Sequence, residues 1–201
     1  MTDPAPIRPA ATLVLWRKGA DGPEVLMGQR GAAAAFMPSK FVFPGGAVDH
    51  GEAVRPGHLA PSCAARLAAD VPVPAPLPGQ IAAAALRELS EETGLTLHTD
   101  ARLRFIFRAI TPHGAPRRFD ARFLMGQADA ILGNPLDFSA ASGELSALQW
   151  VPLLRARSFD LPFITEIVLS EVVALIAGGD QPGVPFFDNR GPASRFTRLH
   201  G

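Results

Sequence analysis

Glu88, Glu91 and Glu92 stand at i, i+3 and i+4 in the run Arg87-Glu88-Leu89-Ser90-Glu91-Glu92. On a helix, where each residue turns by about 100°, that spacing brings three carboxylates onto one face and sends Leu86 towards the core on the other. Like charges at this separation repel, each pair at a cost of a few tenths of a kcal/mol. A divalent cation reverses the sign of that cost, because hard ions such as Mg²⁺ take oxygen ligands and a carboxylate cluster supplies them. The competing reading of a bare glutamate triplet is a solvated acidic face, and a second group of residues weighs against it. Phe43-Pro44-Gly45-Gly46 lies upstream as a tight turn whose glycines let backbone approach a ligand. Gly46-Ala47-Val48-Asp49-His50-Gly51-Glu52 then adds a further carboxylate.

Together these residues resemble the signature of the Nudix hydrolase family, G-x5-E-x7-R-E-U-x-E-E-x-G-U with U aliphatic. Arg87 to Leu95 matches at every defined position, and Gly46 to Glu52 has the required spacing. One departure is plain: 35 positions separate Glu52 from Arg87 where the signature has 8, so 27 residues are inserted inside it. Loop-closure entropy grows only logarithmically, so such a detour costs on the order of 1–2 kcal/mol. The resemblance runs from about Ala11 to about Ile176. It implies an α/β fold, the Nudix α/β/α sandwich with a mixed β-sheet, and a hydrolase acting on phosphoric anhydride bonds. It also implies Mg²⁺ or Mn²⁺ held by Glu88, Glu91 and Glu92 with the Gly46 carbonyl, and an Arg87 that orients Glu52 or Glu91. Several members use a glutamate in the loop before a late strand as a metal ligand or general base, the place Glu144 occupies here.

The resemblance narrows further. Arg30 precedes Phe43 by 13 residues, the spacing of the coenzyme A signature L-L-T-x-R-(S/A)-x3-R-x3-G-x3-F-P-G-G, although Ala35 and Ser39 stand where that signature has Arg and Gly. Phe36-Met37-Pro38 and Thr111-Pro112 before Pro116-Arg117-Arg118-Phe119-Asp120 are similar to the coenzyme A diphosphatases that carry a long insertion in the box. The substrate so implied is coenzyme A or an acyl derivative, split into 3′,5′-ADP and 4′-phosphopantetheine. Its 3′-phosphate needs an extra cation, for which Arg30, Arg117 and Arg118 are the candidates, since guanidinium suits bidentate phosphate binding. Strand alternation sends Arg117 and Arg118 to opposite faces, so at most one meets a given pocket. ADP-ribose, dinucleotides and nucleoside triphosphates are the other substrates of such enzymes. A Nudix domain that only binds a nucleotide is a different class, and the retention of every box glutamate weighs against it.

The elements that must position these residues are legible in outline. Ala-, Leu- and Glu-rich sequence predicts a helix over 81–93 with Gly94 as its C-cap. Apolar runs predict strands over 11–16 and 24–27, joined as a hairpin through Asp21-Gly22-Pro23, and over 41–43, 103–110, 117–125 and 147–151. A second long helix is expected over 162–177, and a short one over 61–70. Pro72, Pro74, Pro76 and Pro78 predict an extended, polyproline-like tract within an insertion over about 53–79. Because both ends of that insertion belong to the catalytic box, it is expected to overhang the site and shape access to it. The head, 1–9, reads as flexible and the tail, 178–201, as irregular, leaving 10–177 as the domain.

With 47% hydrophobic and 19% charged residues the composition is globular. Lys+Arg and Asp+Glu both number 19, which argues against a nucleic-acid partner and leaves a small phosphorylated ligand open. No apolar run approaches the roughly 18 residues of a membrane span. The lone cysteine, Cys63, excludes an intrachain disulfide, so a cytoplasmic location is the simplest expectation, and a homodimer is left open. None of the five histidines has metal-ligand spacing.

Overall fold

Thr12 and Val14 alternate with Ala11, Leu13 and Leu15 along the first strand, and nearly all are buried, so this strand must be covered on both faces. In the computed structural model, which describes residues 5–70, 76–191 and 193–200, that is what happens. The strands are β1 (Ile7–Gly19), β2 (Gly22–Arg30), β3 (Phe41–Val42), β4 (Gly45–Ala47), β5 (Arg104–Ile110), β6 (Arg118–Gln127), β7 (Leu145–Pro152), β8 (Val184–Asp188) and β9 (Arg195–Leu199). The helices are α1 (Pro61–Ala68), α2 (Pro78–Thr93), α3 (Leu153–Ala156) and α4 (Phe163–Ile176). The strands form one mixed sheet in the order β3-β2-β1-β6-β5-β8-β9, with β4 also on β1 and β7 also on β2. β1 runs parallel to β6 over Ile7↔Arg118 to Trp16↔Gln127, and β5 runs parallel to β8; the other pairs are antiparallel.

Two cores sandwich the sheet. Leu13, Leu15, Phe105, Leu124 and Phe186 pack under α1 and α2 with Leu67, Ile81 and Leu89. Val14, Met27, Ile106, Phe107 and Phe123 pack under α4 with Val168, Leu169 and Val172. This is the α/β class expected, an α/β/α sandwich on a mixed sheet. Among the described residues no helix is long and apolar enough to cross a membrane.

Five features differ from the sequence reading, the fifth being the inserted segment described below. The head is not loose throughout, because Ile7, Arg8 and Pro9 pair with Arg118, Phe119 and Asp120. Gly45 to Ala47 do not merely stop a strand but form one, pairing with Thr12, Ala11 and Ala10. The tail is not irregular: β8 and β9 extend the sheet, Val184 and Phe186 lying in the core beneath α1 and α2. The Gly and Pro content around them masks a short apolar run. Finally, α2 begins at Pro78, whose missing N–H costs nothing in a first turn, and Gln80 Oε1 accepts the Leu77 N–H at 2.8 Å. Gly94 ends the helix at φ +75°, its N–H donating to the Ser90 carbonyl.

The inserted segment joins the core instead of looping out. Leu59, Cys63 and Leu67 are buried with the α2 side of the sheet. Its ends are stapled together: Arg55 N–H donates to the Gly79 carbonyl at 3.0 Å, and Gln80 Nε2 to the Glu52 carbonyl at 3.2 Å. Pro72 and Pro74 of the expected polyproline-like tract lie outside the described residues.

Candidate active site

The helix that carries the glutamates lies against β1 and β4, so each carboxylate meets a different surrounding. Glu92 is 2% exposed, and its Oε2 accepts the Gly45 N–H at 2.8 Å. Burial pushes its carboxyl up to about 8; the Gly45 N–H opposes this, and the charges of Glu88 and Glu144 add to it. Glu88 is raised for the same first reason, with Arg87 pulling the other way. Glu91 is exposed and turned towards Arg87. The i, i+3, i+4 triplet therefore does not present three equivalent ligands; its members grade from buried to solvated.

Arg87 ties these groups together. Its Nε and Nη2 donate to Glu52 Oε2 at 3.2 Å each, Nη1 to Glu88 Oε1 at 2.8 Å and Glu91 Oε2 at 3.2 Å, and Nη2 to the Ala47 carbonyl at 2.9 Å. Burial disfavours its cation, yet the Glu52 and Glu88 carboxylates outweigh that and raise its pKa. Glu52, despite the long excursion after it, is back beside the helix and almost fully buried there.

β4 runs between α2 and a cleft of about 740 Å³ on the α4 side of the sheet. A Cβ on Gly46 would overlap the Glu88 carboxylate, so the bare backbone at this position is what lets Glu88 reach into the cleft. A Cβ on Gly45 would meet backbone instead, the Ala11 carbonyl oxygen at 2.5 Å and Thr12 Cα at 2.7 Å. These two glycines thus do different work. Gly46→Ala is expected to displace Glu88 and lower kcat about 10- to 100-fold, the cost of a misplacement near 1 Å. Its unfolding free energy should stay within about 1 kcal/mol of the parent, since only the end of a side chain must move. Steady-state kinetics beside a denaturant titration measures both, and normal turnover would mean that clearance for Glu88 is not needed.

The cleft wall is apolar, built from Phe43, Ala109, Phe119, Phe123 and Ile164, and its rim is charged. Arg30 and Glu144 both line it, joined by a 2.9 Å contact between Nη2 and Oε1. Arg30 Nε is buried without a hydrogen-bond partner. Arg117 lines the rim and is exposed. Arg118 does not: it is 4% exposed, and its guanidinium donates to the Thr111 carbonyl at 3.1 Å and the Asn189 carbonyl at 2.6 Å. Its burial sets Arg118 apart from the substrate candidates; Arg117, expected in the strand, lies just before β6, so strand alternation does not account for its exposure. The inserted segment is also displaced from its expected role, since none of its described residues lines the cleft. Sequence reasoning missed Arg8, which lines the cleft because β1 starts earlier than the apolar run suggests. It also missed the edge-to-face pair of Phe36 and Phe119, 5.2 Å between centroids.

Among the described residues no three acidic, His or Cys side chains converge to enclose an ion as they stand. Glu88 and Glu91 are turned to Arg87, and Glu92 to the Gly45 N–H. The donor set nevertheless fits a hard divalent cation. It is all oxygen, burial raises the pKa of two of its carboxylates, Glu88 and Glu92, and the bare Gly46 backbone leaves room for Glu88.

An acidic helix thus meets, across a glycine strand, a cleft with an arginine rim. A sequence profile of the NUDIX domain matches residues 76–170. A crystal structure of a Nudix hydrolase from Alicyclobacillus acidocaldarius is 30% identical, with 85% of this chain and 92% of that chain covered and a TM-score of 0.58. An Ap4A hydrolase of C. elegans, in a binary complex, shares the fold at 22% identity over 86% and 99% of the two chains, TM-score 0.52. So does the Nudix domain of Shewanella oneidensis NrtR complexed with ADP-ribose, at 13% identity over 85% and 89%, TM-score 0.51. No curated protein matches the chain by sequence. The chain belongs to the Nudix hydrolase family, whose enzymes use divalent metals on nucleoside diphosphate derivatives.

Proposed function

We propose that the protein hydrolyses coenzyme A or an acyl derivative at its pyrophosphate, releasing 3′,5′-ADP and a 4′-phosphopantetheine product, with Mg²⁺ or Mn²⁺. The observation that carries this reading is the composition of the cleft. Carboxylates at Glu88 and Glu144 face a long apolar wall, and Arg8, Arg30 and Arg117 stand around it. That is more cation than one pyrophosphate requires, and the wall suits an uncharged pantetheine arm. The partial signature from Arg30 to Gly46 points the same way.

Glu88, Glu91, Glu92 and the Gly46 carbonyl are the groups that would hold the metal. When bound, it neutralises charge on the pyrophosphate and raises the acidity of water. The chain's own residues do the rest. Arg87 positions Glu88 and Glu91 and is itself held by Glu52, so Arg87 and Glu52 act through the ligands and not on substrate. Water attacks one phosphorus, the bridging oxygen leaves with the other phosphate, and the water's proton passes to a carboxylate. Glu144 suits that role better than Glu52, because its side chain is 55% exposed at the cleft while Glu52 is locked against Arg87. Arg30 holds Glu144 in place and offers its remaining donors to phosphate.

The test is a substrate panel of coenzyme A, acetyl-coenzyme A, ADP-ribose, Ap4A and ATP, each with Mg²⁺ and with Mn²⁺, and mass identification of products. Coenzyme A is expected to give 3′,5′-ADP and 4′-phosphopantetheine. Robust hydrolysis of ADP-ribose or Ap4A with no cleavage of coenzyme A makes one of those the substrate instead.

A further inference from the structure

We propose that Arg8 and Arg117, with Phe36 and Phe119 beside them, form a second anion subsite that takes a substrate phosphate other than the two joined by the scissile bond. The proposal deepens the preceding reading and rests on it for the substrate class. Each arginine in this part of the molecule has a visible occupation except these two. Arg30 is engaged by Glu144, Arg118 by two backbone carbonyls, and Arg108 and Arg122 by Asp120. Arg8 and Arg117 are both exposed on the cleft, and among the described residues neither has a hydrogen-bond or ion-pair partner.

The cleft wall brings them together. Arg8 pairs with Phe119 across β1 and β6, Arg117 immediately precedes β6, and all three line the cleft. Phe119 meets Phe36 edge to face, which puts an aromatic corner on the cleft that Arg8 and Arg117 also line. An aromatic surface beside paired cations recognises a flat base carrying a phosphate. Gly46 pairs with Ala11, three residues along β1 from Arg8, which puts the subsite roughly 10 Å from the glutamates at the rise of a strand. That separation is beyond a pyrophosphate held at Glu88. The phosphate it suits is one on the ribose 3′ oxygen or one further along a polyphosphate chain.

The subsite is tested by calorimetry on the protein loaded with Ca²⁺ in place of Mg²⁺, each ligand being confirmed intact by mass after the titration, with adenosine 3′,5′-bisphosphate against adenosine 5′-monophosphate, and diadenosine tetraphosphate against diadenosine diphosphate. The parent protein should prefer the member with more phosphates, one more in the first pair and two more in the second, in at least one pair. Arg8→Ala and Arg117→Ala should each take roughly 10- to 100-fold off that preference, the worth of a charge-assisted contact. Arg8→Lys should restore part of it by keeping the charge. Loss confined to the first pair assigns the 3′-phosphate, and loss confined to the second assigns the distal phosphate. Should an alanine variant lose its fold, Arg8→Gln or Arg117→Gln is read instead. Equal binding of both members of both pairs by the parent, or an equal loss for both members in the variants, overturns the subsite. Failure to cleave coenzyme A overturns only the preceding reading, because these binding ratios do not depend on it.

Discussion

Glu92→Gln is expected to lower kcat at least about 100-fold while making the metal-free protein more stable. The two effects have one cause. Glu92 is a carboxylate that the fold buries, leaving a charge that a cation can stabilise and water cannot. The sign of the stability effect follows from its pKa, raised from 4.5 to about 8 in the folded chain. The folded state then binds the proton more tightly than the unfolded state, so folding stability falls as pH rises from about 4.5 to about 8. Glutamine carries no charge, and its Oε1 can still accept the Gly45 N–H. In EDTA the variant should therefore exceed the parent by a few kcal/mol at pH 8, with the difference vanishing below about pH 4.5. Urea titrations at the two pH values measure it. A variant that turns over normally, or one that is less stable than the parent at pH 8, would sink the assignment of Glu92 as a buried metal-facing carboxylate.

Asp120→Ala should be among the most damaging single changes to the fold, costing about 3–5 kcal/mol. Asp120 sits beneath α1 on the face away from the cleft, between two arginines. Its Oδ1 and Oδ2 each accept from Arg108 at 2.8 Å, and Oδ2 also lies 2.9 Å from Arg122 Nη2. Arg108 is 1% exposed, lies over the Phe186 ring at 4.4 Å, and donates to the Asp70 carbonyl just past α1, within the inserted segment. Burial lowers the Arg122 pKa, with Asp120 opposing and Arg108 adding to the effect. Removing the one anion leaves two buried cations facing each other, which is far costlier than losing a surface ion pair. Replacing all three with apolar residues of similar volume should cost much less, because the desolvation penalty goes with the charges. A shift in the denaturation midpoint worth under about 1 kcal/mol for Asp120→Ala would show that water reaches the triad.

What was legible from sequence alone was local. The acidic helix, its Gly94 stop and the hairpin after Trp16 follow from periodicity and turn chemistry within a few residues of each position. The row Arg118, Asp120, Arg122 carried a readable signal too, three polar residues on one side of a strand, but only the pairing of β5 with β6 supplies Arg108 and shows the row to be buried. The tertiary structure decided everything that depends on partners far along the chain. Arg30 meets Glu144 across 114 positions, and Glu92 meets the Gly45 N–H across 47. No local pattern encodes such contacts, because they arise from which strands pair and which faces are covered. The same is true of burial. One helical spacing set Glu88, Glu91 and Glu92 side by side, but their unequal character comes from β4 lying over two of them: Glu92 accepts the Gly45 N–H, and Glu88 fits because Gly46 carries no Cβ.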